Sequence, residues 1–307
     1  MSEVFRSSGD LLADRRYDYA MAARREGDLA ASADLIVQAL EIAPGWAAGW
    51  FALGEVERDL GHDDAAIAAF RKAAASDPDD ALGARLMLAR LGVEKPVMSP
   101  AYVATLFDQY APRFDRALRE KLAYRGPEIL LDAVDRACTG AKRPLRFERM
   151  FDLGCGTGLA AEAFAPHVEA IEGVDLSARM VEIARAKGLY ERLEAGDLTA
   201  FLDGRAPGAA DLVVAADVFV YCADLAPILA AATRVLAPAG RLAFTVETHD
   251  GEGVLLGAGL RYAHARAHLE ALLAALPLDL DVLEPASTRR EAGHPVPGLV
   301  AVAARRS

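Results

Sequence analysis

Alternating glycines after a short apolar run are the feature of this sequence that bears most directly on chemistry. The segment is RMFDLGCGTGLAAEAFA, in which Gly154, Gly156 and Gly158 separate a predicted strand from an alanine-rich predicted helix. Glycine allows a tight turn and lets a ligand approach where a Cβ would collide. The helix that follows offers unpaired N–H groups and the positive end of its dipole. The segment therefore predicts a loop that cradles a small ligand.

Two kinds of ligand use such a loop, and the residues around the glycines distinguish them. The dinucleotide fingerprint G-x-G-x-x-G/A requires glycine or alanine at position 159, where this chain has Leu159. The pattern D-x-G-x-G-x-G instead resembles motif I of class I, Rossmann-like methyltransferases that depend on S-adenosylmethionine. The resemblance implies that this motif passes under the methionine end of the cofactor, with contacts from Asp152, Gly154, Cys155, Gly156 and Gly158.

Further elements follow in the order of that family. A second strand, predicted over residues 170–174, ends before Asp175, whose carboxylate would accept hydrogen bonds from the ribose hydroxyls, with Leu176 beside it. Farther on, LEAGDL places Asp197 and Leu198 where the family binds the adenine. Ligands of open α/β sheets bind beyond the carboxyl ends of the strands, so these residues are expected to converge on one crevice. Either acid taken alone is equally well explained as a helix N-cap or a turn residue.

Methyl transfer requires few protein groups, because the cofactor carries its own reactive sulfonium and the protein mainly positions and desolvates the reactants. A general base helps if the acceptor is a hydroxyl or a protonated amine. His249, His264 and Asp217 fall near or after strand ends and are the residues predicted for that role. Asp217 is also predicted to contact the cofactor. A thiol, a carboxylate or a neutral amine would need no base.

The acceptor pocket is predicted from residues that follow the fourth and fifth strands. The fourth strand is predicted over residues 211–216, and Tyr221 lies beyond its end. The segment ETHDGEGVLLGAGLRYAH follows the fifth strand, where the family usually builds its acceptor pocket, and it contains Arg261 and Tyr262. Arg261 would suit an acceptor that carries a carboxylate or phosphate. A solvated loop leading into a helix explains the same segment equally well.

A helical segment before the first strand, residues 96–140, is predicted to form a lid. Tyr110 and Phe114 are spaced four apart on one helical face. In the methyltransferases that this region resembles, such helices cover the cofactor, which implies cofactor contacts from both rings. Core packing of an aromatic stripe is the competing interpretation.

Strands and helices alternate through the rest of the chain. The predicted elements are a helix over 225–236, a strand over 242–247, a helix over about 261–276, and two final strands over 279–284 and 296–304. The final two strands are joined without a helix, as in the family. The sequence thus predicts an α/β fold over residues 96–307: a seven-stranded Rossmann-like methyltransferase sheet with one antiparallel strand.

The part before it, residues 1–95, repeats with a period of 34 residues, so that Gly27 recurs as Gly61. The segment resembles tetratricopeptide repeats, which implies an all-α tetratricopeptide-like helical module. A further helix over residues 80–91 is predicted to cap it. Such a module either grips a protein partner or supports the lid of the next domain.

The composition limits which kinds of protein this chain can be. The 307 residues carry 34 basic and 45 acidic side chains, and this net charge of −11 disfavours nucleic acid as a partner. No apolar run reaches the roughly 18 residues that a membrane span needs, and the N-terminal MSEVFRSSGDLLADRR lacks the apolar core of a secretory signal. Three cysteines without close pairs support neither disulfides nor a zinc site. A cytoplasmic protein without a bound metal and without a membrane partner is therefore expected.

Together these features predict an enzyme that transfers a methyl group from S-adenosylmethionine. The sequence does not identify the acceptor, which is a small molecule, a carrier-bound acyl group or a protein side chain. The competing prediction is a catalytically idle cofactor-binding scaffold or adaptor that acts through its repeats. The intact motif favours the enzyme, because an idle domain would be free to lose Asp152, Gly156 and Asp175.

Overall fold

The computed structural model describes residues 7–257 and 259–306, without the side chains of residues 119–121. The chain divides into two compact units, Met1–Thr105 and Leu106–Ser307, and hydrophobic cores lie within both. The domain boundary predicted between residues 95 and 96 stays a prediction. Residues 1–6, on which part of the argument against a secretory signal rests, lie outside the described residues.

The first unit is built from antiparallel helix pairs. Its helices are α1 (Leu11–Glu26), α2 (Leu29–Ile42), α3 (Ala47–Asp59), α4 (Asp63–Ser76) and α5 (Ala84–Arg90), and α6 (Pro100–Tyr110) runs into the second unit. α1 contacts α2, and α3 contacts α4. The turn glycines Gly27 and Gly61 have φ angles of +87° and +81°, which a residue with a side chain rarely adopts. The paired helices confirm the predicted tetratricopeptide-like arrangement.

Packing inside the second helix pair explains why the repeat alternates small and large residues. A Cβ on Gly54 would lie 2.7 Å from the ring of Phe70, so α3 and α4 approach this closely only because glycine is present. The predicted cap helix begins at Ala84 instead of residue 80. Asp80 and Gly83 have φ angles of 51° and 77°, so this stretch forms a turn that delays the helix.

The second unit is organised around a twisted sheet. Its main strands are β1 (Phe147–Leu153), β2 (Val168–Asp175), β3 (Arg192–Ala195), β4 (Ala210–Ala215), β5 (Leu236–Glu247), β8 (Leu278–Pro285) and β11 (Gly298–Arg305). They lie in the order β3-β2-β1-β4-β5-β11-β8, and β11 runs antiparallel to both of its neighbours. This confirms the predicted seven-stranded sheet with one antiparallel strand.

Two short hairpins correct the sequence prediction. The shorter strands are β6 (Val254–Leu256), β7 (Tyr262–His264), β9 (Arg290–Glu291) and β10 (His294–Pro295). β6 and β7 add to the main sheet, whereas β9 and β10 form a separate two-stranded sheet. β7 pairs with β6 and with the end of β5, where Ala263 lies opposite Glu247. The helix predicted from about residue 261 therefore begins only at Arg266, since the preceding residues are held in strand pairing.

Helices cover both faces of the sheet. They are α7 (Phe114–Lys121), α8 (Gly126–Gly140), α9 (Leu159–Phe164), α10 (Ala178–Ala186), α11 (Leu198–Asp203), α12 (Ala226–Val235) and α13 (Arg266–Ala274). Side chains of α11, α12 and α13 share one core cluster, and those of α8 and α9 share another. Because both faces are covered, β1 and β4 are apolar and buried along most of their length. None of the helices in the described part of the chain has the length and apolar character needed to cross a bilayer.

Candidate functional site

The glycine loop joins the end of β1 to α9, at the carboxyl edge of the sheet. Gly154 and Gly156 have φ angles of +61° and +53°, so both positions favour glycine for backbone reasons. Their surroundings differ. A Cβ on Gly154 would lie 2.5 Å from Val218, whereas a Cβ on Gly156 would have its nearest neighbour, Phe114, 3.8 Å away. Gly154 thus serves protein packing, and Gly156 faces open space where a ligand can approach.

Asp175 ties this loop to the end of β2. Its carboxylate accepts the backbone N–H of Gly156 at 2.9 Å and that of Ser177 at 2.8 Å. The side chain is buried, and burial raises the pKa of Asp175 while these two N–H groups act to lower it. The acid predicted to bind the ribose therefore lies directly beside the loop that is predicted to hold the methionine end.

Asp152 lies deeper, beneath the loop. Its carboxylate accepts the hydroxyl hydrogen of Tyr190 at 2.7 Å, and only 1% of the residue is exposed. Burial, reinforced by the nearby Asp175 carboxylate, raises the pKa of Asp152 to about 7. No sequence pattern pointed to Tyr190, which lies 38 positions away from Asp152.

Cys155 occupies the loop between these acids. Its thiol is buried, which raises its pKa well above the usual value, and its backbone N–H donates to the carbonyl of Val174 at 2.9 Å. The predicted cofactor contact of Cys155 is thus limited to its backbone, because the side chain belongs to the interior.

The residues predicted for the adenine end lie after β3. Asp197 is the N-cap of α11, where its carboxylate accepts the N–H of Ala200 at 2.9 Å, and the residue is otherwise exposed. Leu198 is 7% exposed and belongs to the core cluster, while Leu176, after β2, is half-buried. The capping role of Asp197 is observed, and its contact with the adenine stays a prediction.

The second-unit part of α6 contacts the loop after β2 through a carboxylate that the sequence analysis did not single out. Asp108 accepts the hydroxyl hydrogen of Ser177 at 2.5 Å and the backbone N–H of Arg179 at 3.3 Å. Ser177 is the N-cap of α10, and its hydroxyl oxygen accepts the backbone N–H of Met180. Asp108 therefore adds a second acceptor at the start of this helix. The segment predicted to form the lid is thus anchored beside Asp175.

A second carboxylate anchors α7 to the glycine loop. Asp115 accepts the hydroxyl hydrogen of Thr157 at 2.5 Å and contacts the ammonium of Lys187 at 3.3 Å. Lys187 also pairs with Glu162 on α9 at 2.7 Å. Asp108 and Asp115 are seven positions apart in the sequence. A spacing of seven residues would place both acids on the same face of a continuous helix, but it does not show which groups they would bind.

Aromatic rings line the lid. Phe114 contacts Tyr110 and Phe107 with ring centroids 6.3 and 5.9 Å apart, and Phe107 contacts Tyr221 at 5.2 Å. Phe114 is also the residue nearest to the open space over Gly156. The structure therefore brings Tyr110, Phe114 and Tyr221 into one aromatic group beside the glycine loop. That Tyr110 and Phe114 cover the cofactor stays a prediction.

Charged residues at the carboxyl ends of β4 and β5 form a closed cluster. The guanidinium of Arg289 contacts Asp217 at 2.9 Å, Glu291 at 3.1 Å and also Glu247. Arg261 contacts Glu247 at 2.6 Å and also Glu291. The cluster holds two guanidiniums and three carboxylates, so every formal positive charge in it is matched.

This cluster changes the roles predicted for two residues. The carboxylate of Asp217 also accepts hydrogen bonds from Thr245 at 3.0 Å and Thr288 at 2.8 Å, so its lone pairs are engaged and it is poorly suited to act as a general base. Arg261 is already neutralised by carboxylates of the protein, which removes the reason for expecting it to bind an acceptor carboxylate or phosphate. Tyr221 lies close to these charges, and burial raises its pKa to about 12.

His264 and Tyr262 are buried, whereas His249 is half-buried. His264 is fully buried in β7, its Nε2 lies 3.3 Å from the carbonyl oxygen of Phe219, and burial lowers its pKa. Tyr262 is 2% exposed. Neither side chain presents a surface to an acceptor, which corrects both predictions. The Nδ1 of His249 accepts the N–H of Gly251 at 3.1 Å, and its Nε2 is buried without a hydrogen-bond partner among the described residues. Its role as a general base stays a prediction.

Comparisons with known proteins match one segment in each part of the chain. Residues 151–244 match the family described as "Methyltransferase domain", and residues 47–91 match "Tetratricopeptide repeat". The chain is 41% identical to human methyltransferase-like protein 27 over 88 residues, 28% of this chain and 34% of that protein. It is 32% identical to the ubiquinone biosynthesis O-methyltransferase of Thiobacillus denitrificans over 119 residues, 38% of this chain and 51% of that protein.

A solved structure shares the fold. The 1,6-didemethyltoxoflavin-N1-methyltransferase of Burkholderia thailandensis, solved with 1,6-didemethyltoxoflavin and S-adenosylhomocysteine, superposes with a TM-score of 0.52 at 18% identity, covering 70% of this chain and 94% of that one. The chain spans only a third to a half of the length of the two sequence relatives. Residues 151–244 thus match the methyltransferase domain family, the second unit has the fold of a solved methyltransferase, and residues 47–91 match a tetratricopeptide repeat.

Proposed function

We propose that this protein transfers a methyl group from S-adenosylmethionine to an acceptor, with the donor bound at the glycine loop. The observation that carries the proposal is the pair of buried carboxylates, Asp152 and Asp175. Among the described residues each accepts hydrogen bonds only from neutral groups, and neither pairs with lysine, arginine or histidine. Two buried carboxylates without a cation favour a positively charged ligand.

The same observation separates the two ligands that a glycine loop can hold. S-adenosylmethionine carries a sulfonium and an ammonium, whereas a dinucleotide would bring an anionic pyrophosphate next to Asp152 and Asp175. Pyrophosphate would meet like charges there, which is unfavourable at close range in a partly desolvated site. The charge of the site thus supports the methyl donor.

Residues along the crevice have separate roles in this proposal. The open space over Gly156 receives the methionine end, Asp175 accepts hydrogen bonds from the ribose hydroxyls, and Asp197 with Leu198 borders the adenine. When bound, S-adenosylmethionine supplies an activated methyl group on sulfur. Phe114 and the aromatic group around it cover the loop and exclude water, which leaves positioning and desolvation as the main contributions of the protein.

The acceptor enters from the side of Tyr221 and the charged cluster. Because Arg261 and Arg289 are matched by Asp217, Glu247 and Glu291, neither guanidinium of this cluster is free to bind a carboxylate or phosphate. The proposal therefore favours acceptors without an anionic group at the reacting end. A small molecule, a carrier-bound acyl group and a protein side chain all stay within it. His249 is the residue proposed to accept a proton when the acceptor is a hydroxyl, which requires its Nδ1 to release the N–H of Gly251.

The repeat module is proposed to support the lid, and its alternative role is to dock a protein partner. Repeat arrays generally need about three units for independent stability, and this chain has two with a cap. A chain beginning at Pro96 tests the proposal. Lid support requires that this shortened chain bind the donor more weakly than the full chain does. Unchanged donor affinity would leave partner docking as the role.

Two measurements test the function. Calorimetry of the full chain with S-adenosylmethionine, S-adenosylhomocysteine and NAD is expected to show binding of the first two and none of the third. Transfer of a labelled methyl group is then followed with cell-extract fractions, sorted by whether the label enters protein or small molecules. Donor binding without any transfer would support the competing role as an idle scaffold, and binding of NAD alone would reject the methyltransferase proposal.

A further inference from the structure

Tyr190 precedes β3 and fills the space between the glycine loop and β2. A Cβ on Gly158 of the loop would lie 3.1 Å from its ring, and a Cβ on Gly173 of β2 would lie 2.7 Å from it. Both positions therefore leave room for this one ring. Its hydroxyl extends beneath the loop and donates to Asp152 at 2.7 Å.

We propose that Tyr190 is a positioning residue for the methyl donor: its ring supports the glycine loop, and its hydroxyl holds the carboxylate of Asp152 beneath that loop. The inference rests on the proposed function, because the donor is the ligand of this site. It goes further than that function because it gives a residue outside the glycine motif an indirect role in donor binding. Tyr190 acts through Asp152 and the loop.

The groups that face Asp152 make its charge depend on Tyr190. They are the phenols of Tyr190 and Tyr124, the thiol of Cys155 and the carboxylate of Asp175. Burial raises the pKa of both phenols and of the thiol well above their usual values, so these three groups stay neutral near pH 7. The Tyr190 hydroxyl is thus the partner that stabilises the ionised carboxylate.

The direction of the pH effect follows from these contacts. The pKa of Asp152 is raised to about 7, so the carboxylate gains its proton as the pH falls through that value. A neutral Asp152 attracts the sulfonium less than an ionised one does, so donor affinity falls as the pH falls. Replacing Tyr190 by phenylalanine removes a hydrogen bond that lowers the pKa of Asp152, and the midpoint of this dependence moves to higher pH.

The test is Tyr190→Phe, which keeps the ring and removes only the hydroxyl. Calorimetry of the full chain with S-adenosylmethionine measures affinity between about pH 6 and pH 8, the range in which Asp152 titrates. We expect affinity at neutral pH to fall about tenfold, the usual scale for a hydrogen bond to a charged group. The midpoint of the pH dependence rises in the variant. S-adenosylhomocysteine has the same amino acid end without the sulfonium charge and shows the weaker pH dependence.

Two further variants complete the design. Tyr19→Phe, on an exposed part of α1, is the matched control and leaves affinity and pH profile unchanged. Asp152→Asn removes the titrating group, so adding Tyr190→Phe to it no longer moves the pH profile. If Tyr190→Phe has the affinity and pH profile of the unmodified chain, the inference is overturned while the proposed function stands. If the unmodified chain binds no donor, both are overturned.

Discussion

The guanidinium of Arg289 donates to the carboxylate of Asp217 at 2.9 Å, although the two residues are 72 positions apart. Arg289 is 6% exposed, and its remaining nitrogens contact Glu247 and Glu291. The pairs link the loop after β4, the end of β5 and the segment after β8. This connection holds the three segments in a fixed arrangement.

Removing the guanidinium is expected to destabilise the fold. Arg289→Ala leaves Asp217 and Glu247 with one cation fewer in a buried setting, a change that costs about 3 to 5 kcal/mol. Urea unfolding of both proteins measures the difference. Arg136→Ala is the control, because Arg136 pairs with Glu284 at the surface and its loss costs at most about 1 kcal/mol. Equal losses from the two substitutions would contradict the role given to Arg289.

Alanine substitutions at two glycines of the loop are expected to have different effects, one on stability and the other on donor binding. Gly154→Ala places a Cβ 2.5 Å from Val218 and should mainly lower the free energy of unfolding. Gly156→Ala places its Cβ in open space, with Phe114 3.8 Å away, and should cost only about 1 kcal/mol of backbone strain while weakening donor binding. Thermal unfolding and calorimetry on both variants separate the effects. The reverse pattern would show that the ligand does not occupy the space over Gly156.

Asp175 is expected to contribute directly to donor affinity. Asp175→Ala should weaken binding by about 1.5 to 3 kcal/mol, the scale of hydrogen bonds to a charged group. Glu172→Ala is the control, since Glu172 pairs with Arg149 at 2.7 Å and Arg205 at 3.0 Å and is thereby committed to the protein. It should lower stability and leave donor affinity unchanged. Calorimetry that finds the larger loss for Glu172→Ala would assign the ribose to Glu172.

Lid anchoring is expected to control how fast the donor leaves. Asp115→Asn weakens the contacts with Thr157 and Lys187, so the lid segment opens more readily over the glycine loop. The donor dissociation rate, measured by stopped-flow displacement, should rise about threefold to tenfold for the loss of one such hydrogen bond. Asp132→Asn on the exposed face of α8 is the control. An unchanged rate in Asp115→Asn would mean that the lid does not gate release.

The sequence alone was enough to predict features that depend on residues close together in the chain. The glycine loop, Asp175 at the end of β2 and the 34-residue repeat could be predicted because turn geometry, strand ends and helix pairing act over a few residues. The seven-stranded sheet followed from the order of these local elements, and the structure bears it out. The short strand β7 was missed because its conformation depends on pairing with β5.

Tertiary structure alone decided which side chains are available for chemistry. Asp108 meets Ser177 across 69 positions, Tyr190 meets Asp152 across 38, and Arg289 meets Asp217 across 72. No spacing rule along the chain specifies such pairs. The same packing buries His264 and neutralises Arg261, two residues whose types had suggested catalysis and anion binding. The physical reason is that solvent exposure and charge pairing depend on neighbours brought together by folding, whereas residue type and local periodicity are properties of the chain itself.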